Sequence, residues 1–273
     1  MIQQAHPLVM FLQAFLTQCV AHFVLVGLVF LVVWKWGEER FRGARIQAKK
    51  RFNRKQLVFE VKNTLVTLAV GTGTAVVVSL LYAKGATKLS TDASAFGWPL
   101  IAASFVGFLV FNDAWFYAWH RLLHHPKLFR YVHAVHHKSV DVNPFSVYSF
   151  HPVEALLLGT AVIPVVLLVP IYLPVLGAAQ MVGLANNVMS HLGYELLPRW
   201  YIKVPPFRWM NTVTFHCLHH TKLNGNYGLL FRLWDRLFGT EVEGYEQTFV
   251  ERGSALQAAE PTTPALASEP PRR

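Results

Sequence analysis

The sequence predicts an all-α protein, a multi-pass transmembrane helical bundle with a histidine-rich helical cap on its cytoplasmic face. Three observations predict it. The 273 residues are 53% hydrophobic and only 15% charged, too apolar for an ordinary soluble domain. Residues 1–34 and 155–194 contain no Asp, Glu, Lys or Arg. Histidine, by contrast, is concentrated in "HRLLHHPKLFRYVHAVHH" at 120–137 and "HCLHH" at 216–220.

The elements follow in order. Leu12–Trp34 is long enough to cross a bilayer, which takes roughly 20 apolar residues. A cleavable signal peptide would carry its basic residues first. Here they follow the apolar run, so a retained first span is expected. From Lys35 to Lys55 there are nine Lys or Arg and two Glu. This stretch reads as a solvated basic loop beside a membrane, compatible with anionic headgroups or an acidic redox protein. No nucleic-acid motif accompanies it, and no nucleic-acid partner is expected.

Leu57–Tyr82 reads as a second span, Ala83–Gly97 as a polar linker, and Trp98 to about His125 as a third span. The uncharged stretch 155–194 is too long for one span and is interrupted by Pro164, Pro170 and Pro174. It reads as a hairpin of two spans or half-spans turning near 170–174. The positive-inside rule puts the 35–55 loop in the cytoplasm and the 83–97 linker outside. The same path then brings 120–137, His191 and 216–220 to the cytoplasmic face.

Three regions result: 1–100, an N-terminal transmembrane region with the basic loop; 101–245, the unit that carries the clustered histidines; and 246–273, a disordered tail without apolar periodicity. Cys19 and Cys217 form no CxxC pair, so neither a disulfide framework nor a cysteine metal knuckle is indicated.

On a helix, positions i, i+3 and i+4 share a face. His120 and His124 are four apart, while His133, His136 and His137 have the i, i+3, i+4 pattern, which His216, His219 and His220 repeat. Eight imidazoles from three short helices can therefore converge. One metal rarely uses eight protein nitrogens, whereas two metals with four or five ligands each use them readily.

Other metal chemistries fit less well. "HRLLH" has the spacing of a zinc-protease motif, but Arg121 stands where its glutamate base belongs. No Glu is followed by His three residues later, as soluble di-iron bundles require. A haem would leave most of the histidines unexplained.

His6 and His22 read as interfacial or core residues, and Cys217, flanked by ligands, as structural. The roles of His125, which precedes Pro126, and of His151 stay open. Asp113, Glu154, Asn187, Asp235 and Tyr227 are candidates to orient a ligand from behind. Turn and capping chemistry weighs equally for Asp235 and the 224–228 stretch. Trp115, Phe116, Tyr117 and Trp119 read as packing or lipid-facing residues, some of them lining a substrate path.

The segments "FNDAWFYAWHRLLHHPKLFRYVHAVHH", "NPFSVYSFHPVEAL" and "FHCLHHTKLNGNYGLLFRLWDRLFGT" together resemble the fatty acid hydroxylase/sterol desaturase superfamily of membrane di-iron oxidases. The resemblance spans about Phe105–Thr240, and its ending is sterol C-5 desaturase-like. It implies that His120, His124, His133, His136, His137, His216, His219 and His220 bind two iron ions, with His191 of "MSHLGYE" completing the site.

It further implies O2-dependent hydroxylation or desaturation of a lipid C–H bond, with an acyl chain or another membrane lipid as the alternative to a sterol. A membrane zinc enzyme or metal transporter is the non-oxidase alternative. No flavin or nicotinamide fingerprint and no iron–sulfur or haem segment appears in the chain. An external donor, ferredoxin or cytochrome b5-like, with its reductase is therefore expected. The membrane would be the cell inner membrane in a bacterium or the endoplasmic reticulum in a eukaryote.

Overall fold

The structure is a computed structural model and describes residues 6–47, 52–139 and 141–258. Helix α1 (Pro7–Phe30) starts at Pro7, whose missing N–H suits the first helical position, and His6 caps it. It runs on into a π-helical turn, Leu31–Trp36. There Trp34 is buried and donates to the Leu192 carbonyl at 2.7 Å. The end of the first span is thus tied to the residue after His191.

Helix α2 (Arg54–Ala83) is capped by Asn53, and α3 (Trp98–Leu123) ends just before His124. Pro126 lies two residues on, and proline disfavours helix in the residue before it, His125, which is extended. Two short helices, α4 (Pro126–Leu128) and α5 (Ala134–His137), flank a π-helical stretch at Phe129–His133.

The hairpin consists of α6 (Pro152–Gly159), α7 (Val162–Leu168) and α8 (Leu173–Ser190). Its turn carries the two-residue strand β2 (Ile171–Tyr172), paired in parallel with β1 (Leu89–Ser90) of the 83–97 linker. The turn falls where the proline spacing predicts. It lies at the end of the bundle opposite the histidines, since α3 and α8 both run from that end towards them.

Helices α9 (Val213–Lys222), α10 (Leu233–Leu237) and α11 (Tyr245–Ala258) complete the chain as described. Among the described residues three helices are long and apolar enough to cross a membrane: Pro7–Trp36, Arg54–Ala83 and Trp98–Leu123. The hairpin's first arm is shorter, an apolar Pro152–Leu168 broken near Thr160, which favours half-spans over full ones.

Two expectations change. The 35–55 loop is not simply solvated. Arg45 Nη2 donates to both carboxylate oxygens of buried Asp141 at 2.8 Å, and its guanidinium lies over Trp34. Glu60 of α2 accepts from the Asn143 amide at 3.0 and 3.1 Å. These bonds fasten the 141–151 linker behind His136 and His137. Lys49, Lys50 and Arg51 lie outside the described residues.

Nor is the tail irregular from 246. Its first part is α11, where Tyr245 and Phe249, one turn apart, pack with Phe215 of α9 in one buried cluster. Two large aromatics at i, i+4 are enough to dock a helix despite its polar composition. The stretch 259–273 lies outside the described residues.

Candidate metal centre

The last turn of α3, the stretch from Phe129 to His137, the C-terminus of α8 and helix α9 meet at one end of the bundle. Their imidazoles fall into two groups, each with ligand atoms within 4.8 Å of one another. The first is His120, His124, His133, His137 and His219. The second is His136, His191, His216 and His220.

The hydrogen bonds behind the rings decide what the groups can hold. His120 Nδ1 donates to the Tyr227 carbonyl at 2.7 Å, and His133 Nδ1 donates to Glu154 Oε1 at 2.7 Å. Both Nε2 atoms therefore carry lone pairs, yet they face each other at 3.0 Å. Two lone pairs repel at that distance unless a cation lies against both.

The neighbouring Nε2 pairs, His133–His137, His136–His220 and His216–His220, are at 3.1 Å, and His191–His216 at 3.2 Å. Nitrogens bound at right angles to one metal at about 2.1 Å stand about 3.0 Å apart. Both groups fit a first-row divalent metal.

Burial keeps these rings neutral. It lowers His133, His136, His137, His216 and His220 well below the ordinary imidazole value, with neighbouring imidazoles adding to the effect, and holds His219 near 4. Neutral imidazole is the ligand form. The unfolded chain takes up protons below its pKa of about 6.5, which the folded chain refuses, so stability is complete above that value and falls as pH drops towards 4. The metal-free protein should therefore melt several degrees lower at pH 5.5 than at pH 7.5, with the difference shrinking on metal addition. A calorimetric scan in detergent checks this, and equal melting temperatures would contradict it.

The fatty acid hydroxylase profile matches residues 105–240, the segment that carries all nine of these histidines and the loop behind them. This segment belongs to the fatty acid hydroxylase family. Methylsterol monooxygenase 1 of Gallus gallus is 35% identical over 54% of this chain and 48% of its own. A Delta(7)-sterol 5(6)-desaturase of Gibberella zeae is 28% identical over 72% and 59%. A very-long-chain aldehyde decarbonylase of Oryza sativa subsp. indica is 30% identical over 54% and 24%. The chain thus spans less than two thirds of each of these relatives. No solved structure matches it.

Within this member of the fatty acid hydroxylase family, all nine histidines singled out in the sequence lie in the two groups. The open cases lie elsewhere. His125 Nδ1 accepts from the Lys127 N–H and caps α4, and His151 Nδ1 accepts from Val153 N–H and caps α6. His22 is buried against Tyr148, away from both groups.

Of the supporting candidates, Glu154 touches a histidine directly and the backbone carbonyls of Asn187 and Tyr227 accept from His191 and His120. Asp113 does not touch His120. It accepts from Leu230 N–H at 2.6 Å and from the Trp234 indole at 2.9 Å. Asp235 accepts from Tyr227 and Gly228 N–H at 2.8 and 2.7 Å and from the Thr240 hydroxyl. The two carboxylates clamp one loop from both sides. Two carbonyls of that loop, Tyr227 and Gly225, orient His120 and His219. Cys217 is buried with Val142 and Val213, a packing role.

Gly228 in this loop is sterically required. A Cβ on Gly228 would stand 2.2 Å from the Phe231 carbonyl oxygen and 3.1 Å from Asp235 Oδ2. Gly228→Ala should therefore shift the Tyr227 carbonyl, loosen His120 and lower bound metal by about tenfold or more. Metal analysis of the purified variant reads this, and undiminished metal would show that the loop does not orient the ring.

Sequence reasoning missed Glu195 and Arg232. Glu195 caps α9, accepting from Thr214 N–H at 2.9 Å and its hydroxyl at 2.7 Å, and burial pushes its carboxyl up to about 7. Arg232 is fully buried and pairs with Glu241 and Glu246. Only Glu195 left a signal, as the one acid within "MSHLGYELL".

Proposed function

We propose that this chain is a membrane-bound, O2-dependent di-iron oxidase that hydroxylates or desaturates a lipid C–H bond. The observation that carries the proposal is the pair of neutral histidine groups, with lone pairs facing at metal-sharing distances, next to the Phe116 and Phe150 end of a cavity within the bundle. One iron would be held by His120, His124, His133, His137 and His219, the other by His136, His191, His216 and His220. Iron held there supplies the redox chemistry that joins O2, two electrons and two protons to oxidation of the lipid.

The chain's own residues do the rest. Glu154 and the Tyr227, Gly225 and Asn187 carbonyls fix the ring orientations. Phe116, whose ring is 5.0 Å from His120, and Phe150, 4.9 Å from His136, keep water from the cavity's inner end. Residues 101–245 form the catalytic unit and 1–100 the membrane region before it.

The Lys and Arg of the 35–55 loop favour a cytoplasmic placement of the histidine end. There, electrons from an external ferredoxin or cytochrome b5-like protein and its reductase would arrive. Relatives named for sterols make a sterol-type lipid the first substrate class to test, and the likeness to an aldehyde decarbonylase keeps acyl lipids as the second.

Metal analysis with Mössbauer spectroscopy on anaerobically purified protein tests the proposal. About two coupled irons per chain and lipid-dependent O2 uptake are expected. Zinc alone, with no O2 uptake after iron reconstitution, would overturn it in favour of a zinc enzyme or transporter.

A further inference from the structure

The cations that precede α9 take no part in the histidine groups. The stretch "PRWYIKVPPFRWM" at 198–210 holds Arg199, Lys203 and Arg208 and no Asp or Glu. Its last residues run antiparallel to those that lead into α10. Met210 bridges to Phe231, and the Arg232 N–H donates to the Trp209 carbonyl at 2.9 Å. Trp209 therefore stands beside α10, and two guanidiniums converge on its ring. Arg208 Cζ lies 4.7 Å from the ring centroid and Arg236 Cζ 5.1 Å from it.

Neither arginine is neutralised. Both are exposed, and neither side chain hydrogen-bonds or ion-pairs with another of the described residues. The carboxylates nearest to Arg236 in sequence are engaged elsewhere. Asp235 accepts from the Tyr227 and Gly228 amides, and Glu241 and Glu246 pair with Arg232. Two like charges held on one indole repel, and an anion between them removes that cost. Guanidinium forks match phosphate oxygens, and both stems reach a single phosphodiester.

The surroundings identify the phosphate. Trp234 of α10 donates to Asp113 at 2.9 Å, and the Phe238 ring stacks on Tyr117 at 5.5 Å. Helix α10 thus lies against the last part of α3, within about 15 Å of its end. With 26 residues, α3 is about 39 Å long and outruns a hydrocarbon core of roughly 30 Å, so this is the level of the headgroups. Around the two arginines, Phe207, Leu233, Leu237 and Phe238 are 40–66% exposed, an apolar surface that acyl chains would cover. We propose that Arg208, Arg236 and Trp209 bind the headgroup phosphate of an anionic phospholipid, whose chains lie over Leu233, Leu237 and Phe238. The site is separate from the cavity that ends at Phe116 and Phe150, which none of these residues lines.

Native mass spectrometry of detergent-purified protein, titrated with dioleoylphosphatidylglycerol or dioleoylphosphatidylcholine, tests this. The chains are identical, so the difference reports the headgroup. Wild-type protein should hold phosphatidylglycerol about 25-fold more tightly, roughly fivefold for each arginine. Arg208→Gln and Arg236→Gln should each reduce the preference to about fivefold, and the double variant should abolish it. Arg199→Gln with Lys203→Gln removes the same charge from the same segment and should leave the preference intact. Metal content, recorded for each sample, should not change.

Equal affinity of wild type for both lipids would overturn the proposal. So would a preference that falls as far in the Arg199/Lys203 variant as in the Arg208/Arg236 variant, which would mean diffuse attraction to a basic surface. Glycerol 3-phosphate carries the phosphate without the chains and should not displace phosphatidylglycerol at equal concentration. Displacement would make this a site for a soluble phosphate instead. Because binding needs neither iron nor O2, the result is independent of the oxidase reading.

Discussion

His136→Ala should bind about one iron per chain instead of two and lose more than about a hundredfold in turnover. His136 is buried in the four-histidine group, with its Nε2 3.1 Å from that of His220. Its removal leaves three imidazoles there and all five in the other group. Changing a residue that merely supports a ligand costs about 10–100-fold in metal affinity or activity, so loss of a ligand in a four-member set should exceed that range.

His125→Ala is the control. That ring lies outside both groups and only caps a three-residue helix, so both irons and turnover should persist. Iron quantitation with Mössbauer spectra separates the two variants. Two irons in His136→Ala, or loss of one in His125→Ala, would refute the assignment of ligands.

The control also shows what the sequence could reveal. Helical spacing is a local property, so the convergence of eight histidines and the hairpin turn near 170–174 were legible, whereas His191 was reached only through the family resemblance. How the histidines divide was not. His136 and His137 are adjacent, yet they enter different groups, because successive helical residues diverge by about 100° and each ring follows the wall it faces.

Partners distant in sequence were hidden for a related reason. Arg45 reads as one charge among nine in a basic run, and only the folded chain brings it to Asp141, 96 residues on. Asp113 reads as a carboxylate two turns from His120, but the Trp234 indole and the Leu230 amide reach it first. The α11 docking face was hidden because two buried aromatics outweigh the polar composition around them.

Glu154 carries the second large effect. Both it and His133 are buried, and the 2.7 Å contact between them joins α6 to the five-histidine group. The carboxylate does three things at once. It fixes the His133 tautomer, sets the ring plane and raises the basicity of the Nε2 that faces His120 and His137.

Glu154→Leu removes all three and leaves the Nδ1 donor unpaired in a buried site, which costs about 1–3 kcal/mol. A fall of about 10–100-fold in bound iron or turnover is expected, with the four-histidine group still filled. Glu154→Gln keeps an oxygen that can accept from Nδ1 but withdraws the negative charge. It should recover metal binding more fully than turnover, since orientation returns and basicity does not. Iron content and turnover measured side by side in the two variants test this division. Equal recovery of both in the glutamine variant would show that Glu154 acts by geometry alone, and no loss in the leucine variant would remove it from the centre altogether.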